Sequence, residues 1–213
     1  MIYPTPCGPA DLLVVVRFSE GNSVNLWRLS SSTGELKQIT FGRGDTQPSC
    51  TPDGKSIFYI NFEKVSRILK IPIDGGAPVE LAHGNVFFPF VSPDGTLLAY
   101  GRTDGQGANQ KSQFIVQKVE GGAKVYEFEA PAFFTELKWT ADGRALTYVL
   151  NSTGNTQNVY MQPLSGGPPI QLTHFNSEPA SISTYAWSRD GKKFAVTRAR
   201  YNDADVVIFT GFK

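Results

Sequence analysis

The chain has 213 residues, with 20 Lys and Arg against 19 Asp and Glu, a formal charge of +1, 40% hydrophobic residues, 21 Gly, 14 Pro and 2 Cys. Balanced charge leaves no clustered Lys/Arg footprint for a nucleic acid or an anionic membrane. Two cysteines exclude a disulfide scaffold, and the apolar content excludes disorder.

The N-terminus, Met1-Ile2-Tyr3-Pro4-Thr5-Pro6-Cys7, has neither the basic region nor the apolar region of a secretory signal. The longest strongly apolar run, Leu12-Leu13-Val14-Val15-Val16, falls far short of the roughly 18 residues that span a bilayer as a helix. No direct membrane insertion is therefore expected of this segment. Cys7 and Cys50 are expected as unpaired buried thiols, because free cysteine is among the most buried residue types. Cysteine usage then leaves the compartment unread.

In chain order, one tetrapeptide theme recurs: Thr51-Pro52-Asp53-Gly54, Ser92-Pro93-Asp94-Gly95, Thr140-Ala141-Asp142-Gly143 and Ser188-Arg189-Asp190-Gly191. Cys7-Gly8-Pro9-Ala10 is a degenerate first copy, and the spacing is roughly 40 to 50 residues. A strand with period-two patterning follows each turn. One of its columns holds Leu13, Ile57, Leu98, Leu146 and Phe194, and the column two residues on holds Val15, Tyr59, Tyr100, Tyr148 and Val196. A short strand precedes each turn and carries Pro4, Pro48 and Pro89 in one column, which predicts a strand end, bulge or free edge there.

A third strand is read at Asn25-Leu26-Trp27, Ile68-Leu69, Phe114-Ile115, Asn158-Val159-Tyr160 and Val206-Val207-Ile208. In the first four copies it runs into a glycine turn (Gly34, Gly75-Gly76, Gly121-Gly122, Gly166-Gly167) and a fourth short strand such as Lys37-Gln38-Ile39-Thr40 or Ile170-Gln171-Leu172-Thr173. Asp-Gly and Gly-Gly suit tight hairpins, since glycine takes positive φ without a Cβ clash.

Four antiparallel strands per repeat in series predict an all-β, WD40-like propeller segment: four four-stranded blades and a partial fifth, within a larger ring of six or more. Blade boundaries fall at about 1–42, 43–83, 84–130, 131–176 and 177–213 of a single segment. The chain is read as the C-terminal part of a longer propeller whose Met1 is not the domain's start. Edge-strand pairing with missing blades or another copy would complete the last blade.

Phe90-Val91-Ser92-Pro93-Asp94-Gly95-Thr96-Leu97-Leu98-Ala99-Tyr100 resembles the repeat of the TolB-like, WD40-like propellers, whose blades carry a pattern close to F-S-P-D-G-K-x-I-A-F. Pro48 to Phe58 and Tyr185 to Ala195 resemble it as well. Such repeats occur in periplasmic TolB, in propeller domains of prolyl-oligopeptidase-type peptidases and in bacterial receptor-like proteins. The tail Asp205-Val206-Val207-Ile208-Phe209 with Phe212-Lys213 resembles propeller regions of bacterial membrane-bound serine/threonine kinases. The resemblance implies a periplasmic or extracytoplasmic setting.

No catalytic signature is found. Gly21-Asn22-Ser23-Val24-Asn25 lacks the closing glycine of a nucleophile elbow, and Gly105 to Gln110 lacks the third glycine of a dinucleotide fingerprint. There is no kinase loop. His83 and His174, the two histidines, have no zinc-type spacing. No cofactor, metal or catalytic residue is expected, and any kinase or peptidase activity would lie outside this chain.

Asp53, Asp94, Asp142 and Asp190, each with Gly54, Gly95, Gly143 or Gly191, are assigned to turn formation rather than calcium. Trp27, Trp139 and Trp187 are assigned to blade packing. The first and third turns of each blade share one end, and the irregular loops and blade-to-blade links share the other. Binding residues usually sit on variable loops of a rigid scaffold. Arg43, Asp45, His83, Asn85, His174 and Asn176 are the candidates there, for a protein or small-molecule ligand at the loop face and central channel. The expected function is non-catalytic sensing or scaffolding in an envelope-associated bacterial protein. The alternative is the gating propeller of a prolyl-oligopeptidase-type peptidase.

Overall fold

A computed structural model describes residues 4–8, 11–18, 23–105, 110–131, 134–151, 156–176, 181–188, 190–200 and 203–212. The weighed elbow residues Gly21 and Asn22, Pro9-Ala10, Arg189 and part of the loop after Gly105 lie outside the described residues. Two compact units are present, Met1–Ala130 and Pro131–Lys213.

Unit 1 holds three sheets. The first comprises β1 (Thr5–Pro6), β2 (Leu12–Phe18), β3 (Val24–Ser30) and β4 (Leu36–Gln38). The second has β5 (Asp45–Cys50), β6 (Ser56–Asn61), β7 (Arg67–Pro72) and β8 (Val79–His83). In the third are β9 (Asn85–Val91), β10 (Leu97–Asp104), β11 (Lys111–Lys118) and β12 (Lys124–Ala130). Unit 2 holds β13 (Thr135–Trp139), β14 (Ala145–Asn151), β15 (Gln157–Pro163) and β16 (Ile170–Gln171), then β17 (Ser181–Trp187), β18 (Lys193–Arg200) and β19 (Asp203–Thr210). Every sheet is an antiparallel meander in chain order, and the last has three strands among the described residues.

The register carries the repeat across each sheet. Val15, Tyr59, Tyr100, Tyr148 and Val196 face Trp27, Leu69, Ile115, Tyr160 and Val207 on the third strands. The first four of these in turn face Gln38, Glu80, Glu127 and Gln171 on the fourth strands.

The proline column has a specific cause. The residue before Pro48 and before Pro89 has positive φ (Gln47 at 50°, Phe88 at 55°), as does Glu136 in the equivalent strand, and the pairing register shifts at each of these places. A bulge removes one ladder position, so proline's missing N–H costs no sheet bond. The bulges also tie neighbouring sheets: Gln47 Oε1 accepts from Phe88 N at 2.8 Å, and Tyr185 Oη donates to the carbonyl of Glu136 at 2.5 Å. Burial pushes the Tyr185 phenol well above its ordinary range, so it stays protonated and donating.

Burial departs from the period-two expectation in the second strands. Along β6, Ile57, Phe58, Tyr59 and Ile60 are all buried. Ile57 and Tyr59 pack in a cluster with Val14 and Leu26 of the first sheet, while Phe58 and Ile60 pack with Val86, Leu98 and Ile115 of the third. A sheet covered on both faces needs apolar residues at consecutive positions, each contributing about 1.5 to 3 kcal/mol. In unit 2, Val149 and Val159 pack with Tyr185, Phe194 and Val196.

The cysteines are not free thiols: Cys7 and Cys50 form a disulfide, with Cα atoms 5.1 Å apart. The cause lies in the turns. Cys7 follows β1 and Cys50 ends β5, the inner strands of neighbouring sheets, and a Cβ on Gly8 would come 2.8 Å from Gly54 Cα. That approach brings the two backbones into disulfide range.

Candidate functional site

Each meander places its first and third hairpins at one end and its second hairpin and outgoing link at the other. At the first end the aspartates build the turns. Asp53 Oδ1 accepts from Thr51 Oγ1 at 2.6 Å and Lys55 N at 3.0 Å. Asp94, Asp142 and Asp190 do the same with Ser92 and Thr96, Thr140 and Arg144, and Ser188 and Lys192. The hydroxyl bond from Thr51 and then the Lys55 amide hold the Asp53 carboxyl below its usual range, and the Ser188 hydroxyl and Lys192 amide do so for Asp190. Gly54 and Gly95 have φ of 71° and 77°. They are also contact points, since a Cβ on Gly95 would come 3.1 Å from Pro52.

At the other end, buried amides hold the links. Asn25 and Asn158 occupy one column of the third strands. Asn25 Nδ2 donates to Gly42 O at 2.8 Å; Asn158 Nδ2 donates to Phe175 O at 3.1 Å and its Oδ1 accepts from Phe175 N at 2.8 Å. Thr40 and Thr173 repeat a second bond, their hydroxyls accepting from Leu26 N and Val159 N at 3.0 and 2.9 Å. Thr40, Asn158 and Thr173 are read from the sequence only as strand positions, and Asn25 also as the last residue of the rejected nucleophile elbow. The signal was there: a polar residue repeating at one column of an otherwise apolar strand.

The six loop-face candidates separate on this frame. Asp45 is 2% exposed, and its carboxylate accepts from Asn61 Nδ2 at 2.7 Å and Asn25 Nδ2 at 3.4 Å. Arg67 Nη2 completes the network through Asn61 Oδ1 at 2.8 Å. Asp45 is thus placed inside the link's anchor rather than on its surface. Arg43 is exposed, held through its carbonyl by Asn61 Nδ2 at 2.8 Å. His83 and Asn85 are exposed on either side of Gly84, and His83 Nδ1 lies 3.0 Å from Glu80 Oε1. Asn85 also lines a 260 Å³ cavity with Phe62, Ser66, Phe87 and Thr103. In unit 2, His174 and Asn176 are exposed on either side of the clamped Phe175. Among the described residues no group of three or more His, Cys, Asp or Glu could hold a metal ion. These exposed side chains are polar, and the backbone beside them is held at Gly42, Arg43 and Phe175.

No protein-family model matches the chain. Its structure is similar to that of TolB from Acinetobacter baumannii, with a TM-score of 0.78 at 20% identity, covering 99% of this chain and 52% of that one. The fold is a β-propeller. Five blades are found among the described residues, four of four strands and one of three, where the sequence reading placed them in a larger ring of six or more. An acylaminoacyl peptidase from Pyrococcus horikoshii is similar with a TM-score of 0.67 at 15% identity, over 98% of this chain and 38% of the other. An uncharacterized peptidase, YuxL, of Bacillus subtilis is 27% identical over 111 residues, 51% of this chain. The chain spans 16% of that relative's length and about half of TolB's.

Proposed function

We propose that this chain is a non-catalytic propeller module of an envelope-associated bacterial protein, binding a protein or small ligand at the loops that link its blades. The observation that carries the reading is the clamp: buried Asn25 and Asn158 fix two of the links, where Arg43, His174 and Asn176 stay exposed, and His83 and Asn85 are exposed on another link. Groups positioned before binding lose little conformational freedom on association. The Cys7–Cys50 disulfide supports an extracytoplasmic setting, where such bonds persist. Membership of a larger ring is part of the proposal, and the kinase-borne form rests on the tail residues alone.

The test replaces Arg43, His83 and His174 together with alanine and compares photo-crosslinking in envelope preparations. Loss of a specific adduct at an unchanged melting temperature is expected. An adduct of undiminished yield would sink the loop-face reading.

The similarity to YuxL over 111 residues favours a second reading, the gating propeller of a serine peptidase. A fluorophosphonate probe on the native full-length protein separates the two. Labelling of a serine outside residues 1–213 assigns the peptidase, and no labelling of active-folded protein assigns the binding module.

A further inference from the structure

A cavity of about 550 Å³ opens at the Asp-Gly end of unit 2, away from the link face. Its floor is apolar, with Met161, Leu172, Trp187 and Phe212, and Trp187 packs edge-on against Phe212 at 4.9 Å. Four charged residues also line it: Asp142, Arg144, Asp190 and Lys192.

All four are exposed, and Arg144 and Lys192 act electrostatically on Asp142 and Asp190, but no hydrogen bond joins their side chains among the described residues. Asp142 and Asp190 each use Oδ1 for the turn, and Oδ2 of each has no hydrogen bond among the described residues. Arg144 and Lys192 likewise have no ion-pair partner among the described residues. Unit 1 differs at matching places. There Asp53 Oδ2 lies 3.7 Å from Lys55 Nζ, and Asp94 Oδ2 accepts from Thr96 Oγ1 at 2.9 Å. A cavity of about 650 Å³ in unit 1 is lined by Lys70 and Glu120, which pair with each other at 3.3 Å. A further donor of unit 2, Trp187 Nε1, is buried without a hydrogen-bond partner among the described residues.

A ligand of single charge would engage one pair of these groups and leave the other. A neutral apolar ligand would use only the floor. A zwitterion with an apolar side chain uses all three features, and the volume lies in the roughly 300 to 1,000 Å³ range of small-ligand sites. We propose that this cavity binds a small zwitterion, a free amino acid or a dipeptide, bearing an aromatic or aliphatic side chain. The carboxylate meets Arg144 and Lys192, the ammonium meets Asp142 and Asp190, and the side chain lies on Trp187 and Phe212. The site is separate from the link face, so it stands whether or not that face binds a partner.

The test titrates the 213-residue chain with the dipeptide Phe-Leu, with free phenylalanine and with the doubly capped N-acetyl-Phe-Leu-amide, by calorimetry and tryptophan fluorescence. Phe-Leu is expected to bind saturably and the capped form at least about tenfold more weakly. Arg144→Gln and Asp190→Asn should each weaken Phe-Leu by about tenfold while both variants remain folded by circular dichroism, since asparagine also suits the turn. Ser165→Trp, which fills the cavity, should abolish binding. Free phenylalanine binding as tightly as Phe-Leu supports the proposal and assigns the site to single amino acids. Equal affinity for capped and uncapped peptide, insensitivity to Arg144→Gln and Asp190→Asn, or no saturable binding overturns it.

Discussion

Reduction of the Cys7–Cys50 bond isolates the crosslink's contribution to unit 1, because both sulfur atoms remain in the apolar cluster with Val14, Leu26, Ile57 and Tyr59. The bond closes a sequence separation of 43 residues. In the chain-entropy account a loop of that length constrains the unfolded ensemble by about 4 kcal/mol. For a chain of this size that corresponds to roughly 8 to 16 °C in melting temperature. The assay is equilibrium denaturation of wild type with and without reductant, beside a Cys7→Ala/Cys50→Ala double variant, with thiol labelling to count free sulfhydryls. Oxidised protein should be the most stable, reduced wild type lower by most of that amount, and the double variant lower still through lost packing. Only the oxidised sample should respond to reductant. Coincident oxidised and reduced midpoints, or two labelled thiols in unreduced native protein, would refute the reasoning.

Two more outcomes follow from the turns and the clamps. Asp53, Asp94, Asp142 and Asp190 all have carboxyl groups held below their ordinary values in the fold, so the unfolded chain takes up protons first on acidification. The stability they contribute is present above about pH 4 and is lost as pH falls through the lower folded values; melting curves between about pH 5 and 2 should decline, less steeply for Asp94→Asn, and a flat profile contradicts this. Asn158→Ala leaves the Phe175 amide and carbonyl without their side-chain partner, at a cost of about 1 to 3 kcal/mol, and should release protection of the Phe175 amide in hydrogen exchange while other strands of unit 2 keep theirs.

The repeat was legible because its devices are local. Asp-Gly and Gly-Gly turns state their own geometry, and the apolar columns at Ile57, Leu98, Leu146 and Phe194 fall where the register puts them. What could not be read depends on neighbouring sheets. The disulfide needed the approach of Gly8 to Gly54, which joins turns from different repeats. Burial of both faces of β6 needed a sheet on either side, so a period-two pattern understated it. Asp45 looked like a surface loop residue by position; its burial follows from Asn25 and Asn61, which lie far off in sequence. Cavity lining in unit 2 drew on turn residues already given a structural role, and composition cannot reveal that Asp142 and Asp190 keep one oxygen uncommitted.

The close packing of the Asp-Gly turns divides the two ends of the sheets within each unit by how much change each tolerates. Where Gly8 meets Gly54, a Cβ would come 2.8 Å from backbone and something must shift, while at Gly95 and Gly191 a Cβ would press on Pro52 and Ala141 at 3.1 and 3.3 Å. The links are secured from beneath through their backbone atoms, at Gly42 and Phe175, so the outward side chains can be exchanged while the anchor stays. Grafted loops or new recognition residues therefore belong at positions such as Arg43, His174 and Asn176, whereas chemistry at the turn end is confined to side chains the fold already employs.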